Sequence, residues 1–302
     1  MNDGRTRRGF LATLAAFGRM VRFSHTLFGL PFALAATLMA HRWDLARGHE
    51  GLTGMKLVWI VLAFTGARTA AMGFNRIIDR DIDADNPRTA TREIPAGIIG
   101  MRPATYFTLC AVGLFLASAA ALGDVALYAS PLCLAVVLGY SYFKRFSWGA
   151  HLVLGVALAL APGGAWVAVT GDLAGWNIPI WLMLAVATWV AGFDIIYSLQ
   201  DEEFDRERGL HSIPVRFGRR GALVLSAVLH IVSVGALLAL HFVGGWGWPH
   251  LVGIGLIALI LLYEHWIVRP NDLSRVDKAF FDLNGYVSIA YLLCTGLDAW
   301  LA

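Results

Sequence analysis

Apolar positions in this chain come in long unbroken runs, not in the alternation of a strand or the stripe of a surface helix. A helix needs about 20 mostly apolar residues to cross a bilayer. Nine stretches meet that need: 23–41, 56–77, 104–122, 125–142, 151–170, 178–199, 221–243, 247–268 and 280–300. Gly123-Asp124 and Gly244-Gly245-Trp246 are the short turns that make neighbouring spans antiparallel hairpins. The pattern therefore predicts an all-α, polytopic membrane protein of nine transmembrane helices, in one domain over residues 1–302.

Composition supports that class. Of the 302 residues 58% are hydrophobic and only 15% are charged, against about 25% charged in an ordinary soluble domain. The mean hydropathy is +0.63. These numbers exclude a disordered chain, a coiled coil and a nucleic-acid-binding domain. Nothing marks an obligate protein partner. The expected surroundings are a lipid bilayer.

Charge then sets orientation. Twenty of the 24 Lys and Arg residues fall in the N-terminal segment and in the loops after the even-numbered spans. Arg42, Arg47 and Lys56 lie on the other side, and Arg68 falls inside span two. The positive-inside rule places the N-terminus in the cytoplasm and the C-terminus outside. Thr6-Arg7-Arg8-Gly9-Phe10-Leu11 resembles a twin-arginine export signal. Arg19 and Arg22 interrupt the apolar stretch after it, so residues 1–22 read as a cytoplasmic amphipathic segment. Cys110, Cys133 and Cys294 sit in apolar runs as small hydrophobes. Trp43, Trp176, Trp246, Trp248 and Trp300 mark span ends. The nine His residues form no i, i+4 pair that points to a metal.

The informative residues are acidic and lie at the cytoplasmic ends of spans two and six. Residues four apart on a helix share a face. Asn75, Asp79 and Asp83 form one stripe, which Arg68 continues into the membrane. Asp194, Tyr197, Asp201 and Asp205 form a second. Each is followed by a basic loop with Ile-Pro, Ile94-Pro95 and Ile213-Pro214. One such stripe alone reads as a solvated helix cap. Two of matching spacing would repel without cations between them, and carboxylate oxygens suit Mg²⁺. A calcium loop starting at Asp79 fails, because Ala84 and Ala90 stand where its Gly and bidentate Glu belong. Arg68 is costly within a span and is expected to face a protein-lined cavity. Arg88, Arg92, Lys144 and Arg145 supply cations for a phosphate-bearing ligand. A metal cluster at the membrane edge, beneath apolar helices, fits a diphosphate carrying a long hydrocarbon tail.

These motifs resemble the UbiA superfamily of intramembrane aromatic prenyltransferases over nearly the whole chain. The Asn-x-x-x-Asp-x-x-x-Asp signature matches Asn75, Asp79 and Asp83. The Asp-x-x-Tyr-x-x-x-Asp-x-x-x-Asp signature matches Asp194, Tyr197, Asp201 and Asp205. Arg88-Thr89-Ala90-Thr91-Arg92 and the Tyr140 to Phe146 stretch, with Lys144-Arg145, are similar to the family's basic elements. The resemblance implies a nine-helix bundle around a central cavity, with the active site facing the cytoplasm. It implies that Asp79, Asp83, Asp201 and Asp205 hold Mg²⁺ and a polyprenyl diphosphate. Asn75, Arg80, Arg88, Arg92 and Lys144 would support the diphosphate, and Arg145 would pair with the carboxylate of an aromatic acid. Asp194 and Tyr197, with Arg68, would line the reacting region. Ser24-His25-Thr26 stands where ubiquinone-type members carry Asp-Lys-Pro, and Glu93 replaces a common Pro. The branch is 4-hydroxybenzoate polyprenyltransferase-like. The acceptor stays open between 4-hydroxybenzoate, for ubiquinone, and a dihydroxynaphthoate, for futalosine-type menaquinone. A secondary transporter is the competing class, but its charges belong at the midplane.

Overall fold

The computed structural model describes residues 10–21 and 26–301. Arg5, Arg7, Arg8, Arg22 and the Ser24-His25 pair lie outside them. The described part of the amphipathic segment is a helix, α1 (Phe10–Met20). Its Ala16 and Met20 bury against Ile94, Ile99 and Ala104, and Phe17 stacks on Phe107 at 4.6 Å.

Each predicted span overlaps one long helix. They are α2 (Thr26–Ala46), α3 (Gly54–Ile78), α5 (Met101–Leu122), α6 (Asp124–Phe143), α7 (Ala150–Thr170), α8 (Pro179–Ser198), α10 (Ile213–Gly244), α11 (Trp248–Ile267) and α13 (Asn284–Leu301). Three short helices lie between them: α4 (Arg80–Asp85), α9 (Glu202–Glu207) and α12 (Val276–Lys278). The described residues form no strand-built sheet. Among the described residues, eight helical segments are long and apolar enough to cross a membrane. α2 is the long helix outside that set, because His41, Arg42 and Asp44 dilute its last turns. α10 starts eight residues before the predicted span. Gly218, at φ 68°, turns the chain there, so the first residues of α10 run apart from the apolar remainder.

The outer surface is apolar at mid-helix: Ile231, Leu259, Leu262 and Leu293 are each at least 65% exposed. Such a belt is stable against hydrocarbon and costly against water. α3 packs on α5, α7 packs on α8 and α2, and α10 covers α8. α13 packs between α2 and α11, while α6 links α3 to α7. An aromatic core ties α2, α8 and α13 together. Phe32 stacks on Tyr291 at 5.0 Å and tilts against Trp189 at 5.0 Å. Trp189 Nε1 donates to Asn284 Oδ1 at 2.8 Å.

The tightest approach joins α7 and α8. A Cβ on Gly155 would lie 2.1 Å from the Ala187 carbonyl oxygen. Backbone cannot rotate away as a side chain can, so only glycine allows this spacing. Gly155→Ala is therefore expected to cost about 1–3 kcal/mol through overpacking, read as a lower Tm in detergent. Gly113→Ala meets no atom within 4 Å and should hold or raise the Tm by helix propensity. Equal Tm values for the two variants would refute the close packing.

Candidate active site

The two acidic stripes are bent, not continuous helices as predicted. α3 ends at Ile78, and Asp79 takes φ −90°, ψ 5° before α4 begins. α8 ends at Ser198, a 3₁₀ turn spans Leu199–Asp201, and Asp201 takes φ −102°, ψ 1° before α9 begins. Both arms thus share one construction: a long helix, an Asp in the bridge region of backbone space, then a helix of six residues. The carboxylate four residues on, Asp83 or Asp205, is carried by that short helix. The bond from the Asp83 amide to the Asp79 carbonyl, 2.7 Å, keeps the helical pitch through the bend.

The arms meet over one cavity of about 690 Å³. Its walls include Asn75, Asp79 and Asp83 from the first arm and Asp194, Tyr197, Asp201 and Asp205 from the second. From this polar end the cavity runs to Leu122 and Trp176, near the other ends of α5 and α8. It follows α3 from Asp79 to Ile60, a rise of about 28 Å. Alanines, Phe64, Leu154 and Leu158 line that reach.

Carboxylates removed from water need cations or donors, and the site supplies them. Asp79 accepts from Lys144 Nζ at 2.6 Å, Arg145 Nη2 at 2.9 Å and Asn75 Nδ2 at 2.9 Å. Asp83 takes both oxygens to Arg92 Nη1, at 2.7 and 2.8 Å, with Arg76 Nη1 3.8 Å away. Arg88 is a bridge between the arms. Its Nε donates to Asp201 Oδ1 at 2.8 Å, its Nη2 donates to Asp201 Oδ2, and its Nη1 donates to the Tyr197 hydroxyl at 2.9 Å. Asn86 Nδ2 adds a bond to Asp201 Oδ1 at 3.0 Å. Burial works against the Arg88 charge, but the hydrogen bond and charge of Asp201, with Tyr197 and Asp83 nearby, hold its pKa above the ordinary value. Tyr197 stacks on Phe280 at 4.0 Å. Asp194 Oδ2 lies 2.7 Å from His151 Nδ1.

Of the residues singled out from sequence, eleven line this cavity: Arg68, Asn75, Asp79, Asp83, Arg88, Arg92, Lys144, Asp194, Tyr197, Asp201 and Asp205. Arg68 Nη1 donates to the Val21 carbonyl at 3.1 Å, which ties α3 to the end of the N-terminal segment. Two residues stand apart. Arg80 pairs with Asp81 at 2.8 Å, in water. Arg145 lies behind Asp79, also donating to the Ser141 and Ile78 carbonyls, and is not on the cavity wall. Its side-chain carboxylate partner here is Asp79, at 2.9 Å. Sequence reasoning missed Arg76, Asn86, His151 and Phe280. Asn86 and Arg76 sit within the first arm's own segment. His151 and Phe280 lie in apolar runs that give no local signal.

The donor set suits a hard cation, since every candidate ligand is a carboxylate oxygen. Among the described residues no three His, Cys, Asp or Glu side chains converge as a protein-only metal cage. A divalent cation bound here would therefore complete its shell with water or phosphate oxygens.

The profile of the UbiA prenyltransferase family matches residues 29–286. The chain is similar to a 4-hydroxybenzoate octaprenyltransferase of Idiomarina loihiensis, 28% identical over 261 residues, which are 85% of this chain and 90% of that protein. It is similar to the apo structure of a UbiA homolog from Aeropyrum pernix K1, at a TM-score of 0.82 and 36% identity, covering 91% of this chain and 98% of that one. A UbiA homolog from Archaeoglobus fulgidus bound to GPP and Mg²⁺ shares the fold at a TM-score of 0.72 and 21% identity, covering 94% and 99%. With the profile spanning most of its length and both signature arms facing one cavity, the chain belongs to the UbiA prenyltransferase family and is a multi-pass membrane prenyltransferase.

Proposed function

We propose that this enzyme transfers a polyprenyl group from a polyprenyl diphosphate to the ring of an aromatic acid, 4-hydroxybenzoate, with Mg²⁺ as its cofactor. The observation that carries this reading is the bridge from Arg88 to Asp201 and Tyr197. It joins both acidic arms at the polar end of a long apolar cavity. The curated relative's name supplies the acceptor, and the Archaeoglobus structure, with its prenyl diphosphate and metal, matches the donor. The reading places the polar end at the cytoplasmic face of a bacterial inner membrane, where the basic loops collect.

Asp79, Asp83, Asp201 and Asp205 would hold Mg²⁺. The bound metal would supply positive charge against the departing diphosphate, which eases ionisation of the C–O bond. Lys144, Arg88 and Arg92 now neutralise carboxylates. Where a metal takes those carboxylates, the Lys144, Arg88 and Arg92 N–H groups would be free to donate to phosphate oxygens in charge-assisted bonds. Asn75 offers a neutral donor beside them. Arg145 keeps Asp79 in place from behind, and Arg80 adds charge at the cavity's edge. The tail lies along the apolar walls. Tyr197, with Phe280 at its back, presents an electron-rich ring that steadies positive charge on the allylic carbon. Arg68 supplies positive charge deeper in the cavity, where the aromatic acid lies.

Asp79→Ala and Asp201→Ala should each lower Mg²⁺-dependent prenyl transfer by about 10²–10³-fold, while membrane insertion is retained. Full transfer by both would overturn the mechanism. Arg145→Ala should lower kcat with the acceptor KM unchanged within about threefold, because its contact is Asp79. A raised acceptor KM at constant kcat would assign it to the acid instead. Purified enzyme offered a polyprenyl diphosphate with 4-hydroxybenzoate or a dihydroxynaphthoate should yield prenylated 4-hydroxybenzoate by mass spectrometry. Exclusive prenylation of the naphthoate would replace the acceptor.

A further inference from the structure

The cavity holds five aspartates, and Asp194 differs from the rest in partner and in depth. Asp79, Asp83 and Asp201 are each held by Lys or Arg. Asp205 stands four residues past Asp201, on the short helix at the polar end of the cavity. A carboxylate tied to a guanidinium or a metal is a weak base, since taking a proton forfeits that pairing. Asp194 instead meets a histidine. Its Oδ2 lies 2.7 Å from His151 Nδ1. Among the described residues no partner contacts Oδ1, and the side chain is 22% exposed on the cavity wall.

The histidine's tautomer follows from its other neighbour. The Ile213 backbone N–H points at His151 Nε2 from 3.5 Å. Ile213 opens α10, and its N–H has no acceptor within the helix. Nε2 is therefore the acceptor, and Nδ1 carries the hydrogen given to Asp194. His151 itself is buried, with 8% of its side chain exposed, so this orientation is fixed by packing. Asp194 sits two turns before Asp201 on the second arm, about 10 Å further into the membrane. It therefore lies past the diphosphate end, on the tail side of Tyr197, where the reacting carbons meet. Tyr197 offers no competing base, because its hydroxyl already accepts from Arg88.

We infer that His151 is a positioning residue that holds Asp194 as the group taking the ring proton of the acceptor. The inference rests on the aromatic-acceptor reading above. The C–O bond of the prenyl diphosphate breaks with its electron pair on the diphosphate. A π pair of the ring forms the new C–C bond. The proton on that ring carbon passes to Asp194 Oδ1, and the C–H pair restores aromaticity. Asp194 then returns the proton to water at the polar end, so no further reactant is needed. His151 keeps Oδ2 engaged through its N–H, which leaves Oδ1 aimed into the cavity.

The test uses the full chain in lipid nanodiscs with Mg²⁺ and a polyprenyl diphosphate. The acceptor is 4-hydroxybenzoate, either unlabelled or deuterated at every ring position. Wild type should turn over both acceptors at equal rates, because ionisation limits turnover. His151→Ala should slow transfer by about 10²-fold through lost orientation, with KM for the diphosphate unchanged. In that variant proton loss becomes limiting, so the deuterated acceptor should react at least about twofold slower. His151→Asn restores an N–H near the Nδ1 position and should recover about tenfold of the lost rate. A His151→Ala enzyme at wild-type rate, or slowed without an isotope effect, would overturn the inference, as would an Asn variant no faster than Ala. Failure of wild type to prenylate either 4-hydroxybenzoate or a dihydroxynaphthoate would instead overturn the acceptor reading, and this inference with it.

Discussion

Five carboxylates around one cavity at the edge of an apolar bundle set the terms for the rest of the molecule. Unpaired, they could not stay ionised so near hydrocarbon. For Asp79, Asp83 and Asp201 the fold meets that constraint with cations drawn from separate parts of the chain, while Asp194 meets His151 and burial holds the Asp205 pKa above the ordinary carboxylate value. Arg92 comes from the loop after α4, Lys144 and Arg145 come from the end of α6, and Arg88 spans from the first arm to the second. The consequence is functional as well as structural. A resting site whose charges cancel internally can exchange them: a cation takes the carboxylates while the Lys and Arg groups turn to an anion. A metal–diphosphate pair suits that exchange, because it brings both charges together and leaves the overall balance nearly unchanged.

The bend in each arm makes the exchange geometrically available. A straight helix would carry its second aspartate along the helix axis and away from the opposite arm. Asp79 and Asp201 interrupt α3 and α8 with similar backbone angles, and each then launches a six-residue helix at the polar end of the cavity. Close packing elsewhere keeps the long helices in register for this. Gly155 lets α7 lie against the α8 backbone, while the Trp189 to Asn284 bond fixes α8 to α13, beside the turn that carries Phe280.

Much of this was legible in the sequence, for identifiable reasons. Span positions follow from the energetic demand for long apolar runs, which leaves few alternatives. The two arms stand out because acidic residues are rare in such a chain, and repeated i, i+4 spacing is rarer still. What the sequence hid were relations across the fold. Arg145 reads as a cation for an acceptor carboxylate, and its contact with Asp79 depends on where α6 meets α3. His151 lies within an apolar run and gains meaning only from Asp194, 43 residues on. The breaks at Asp79 and Asp201 leave no glycine or proline to announce them. Arg80, which the resemblance assigns to the diphosphate, pairs with its exposed neighbour Asp81.

The central claim is that the paired charges of this site give way to a metal and a diphosphate together. Its most direct measurement is binding, not turnover: the affinity of the purified enzyme for a non-reactive prenyl thiolodiphosphate, with Mg²⁺ and then with a chelator. The account predicts that affinity falls by about 100-fold without the metal, because carboxylates left facing the phosphates repel them. Equal affinity in both conditions would contradict it.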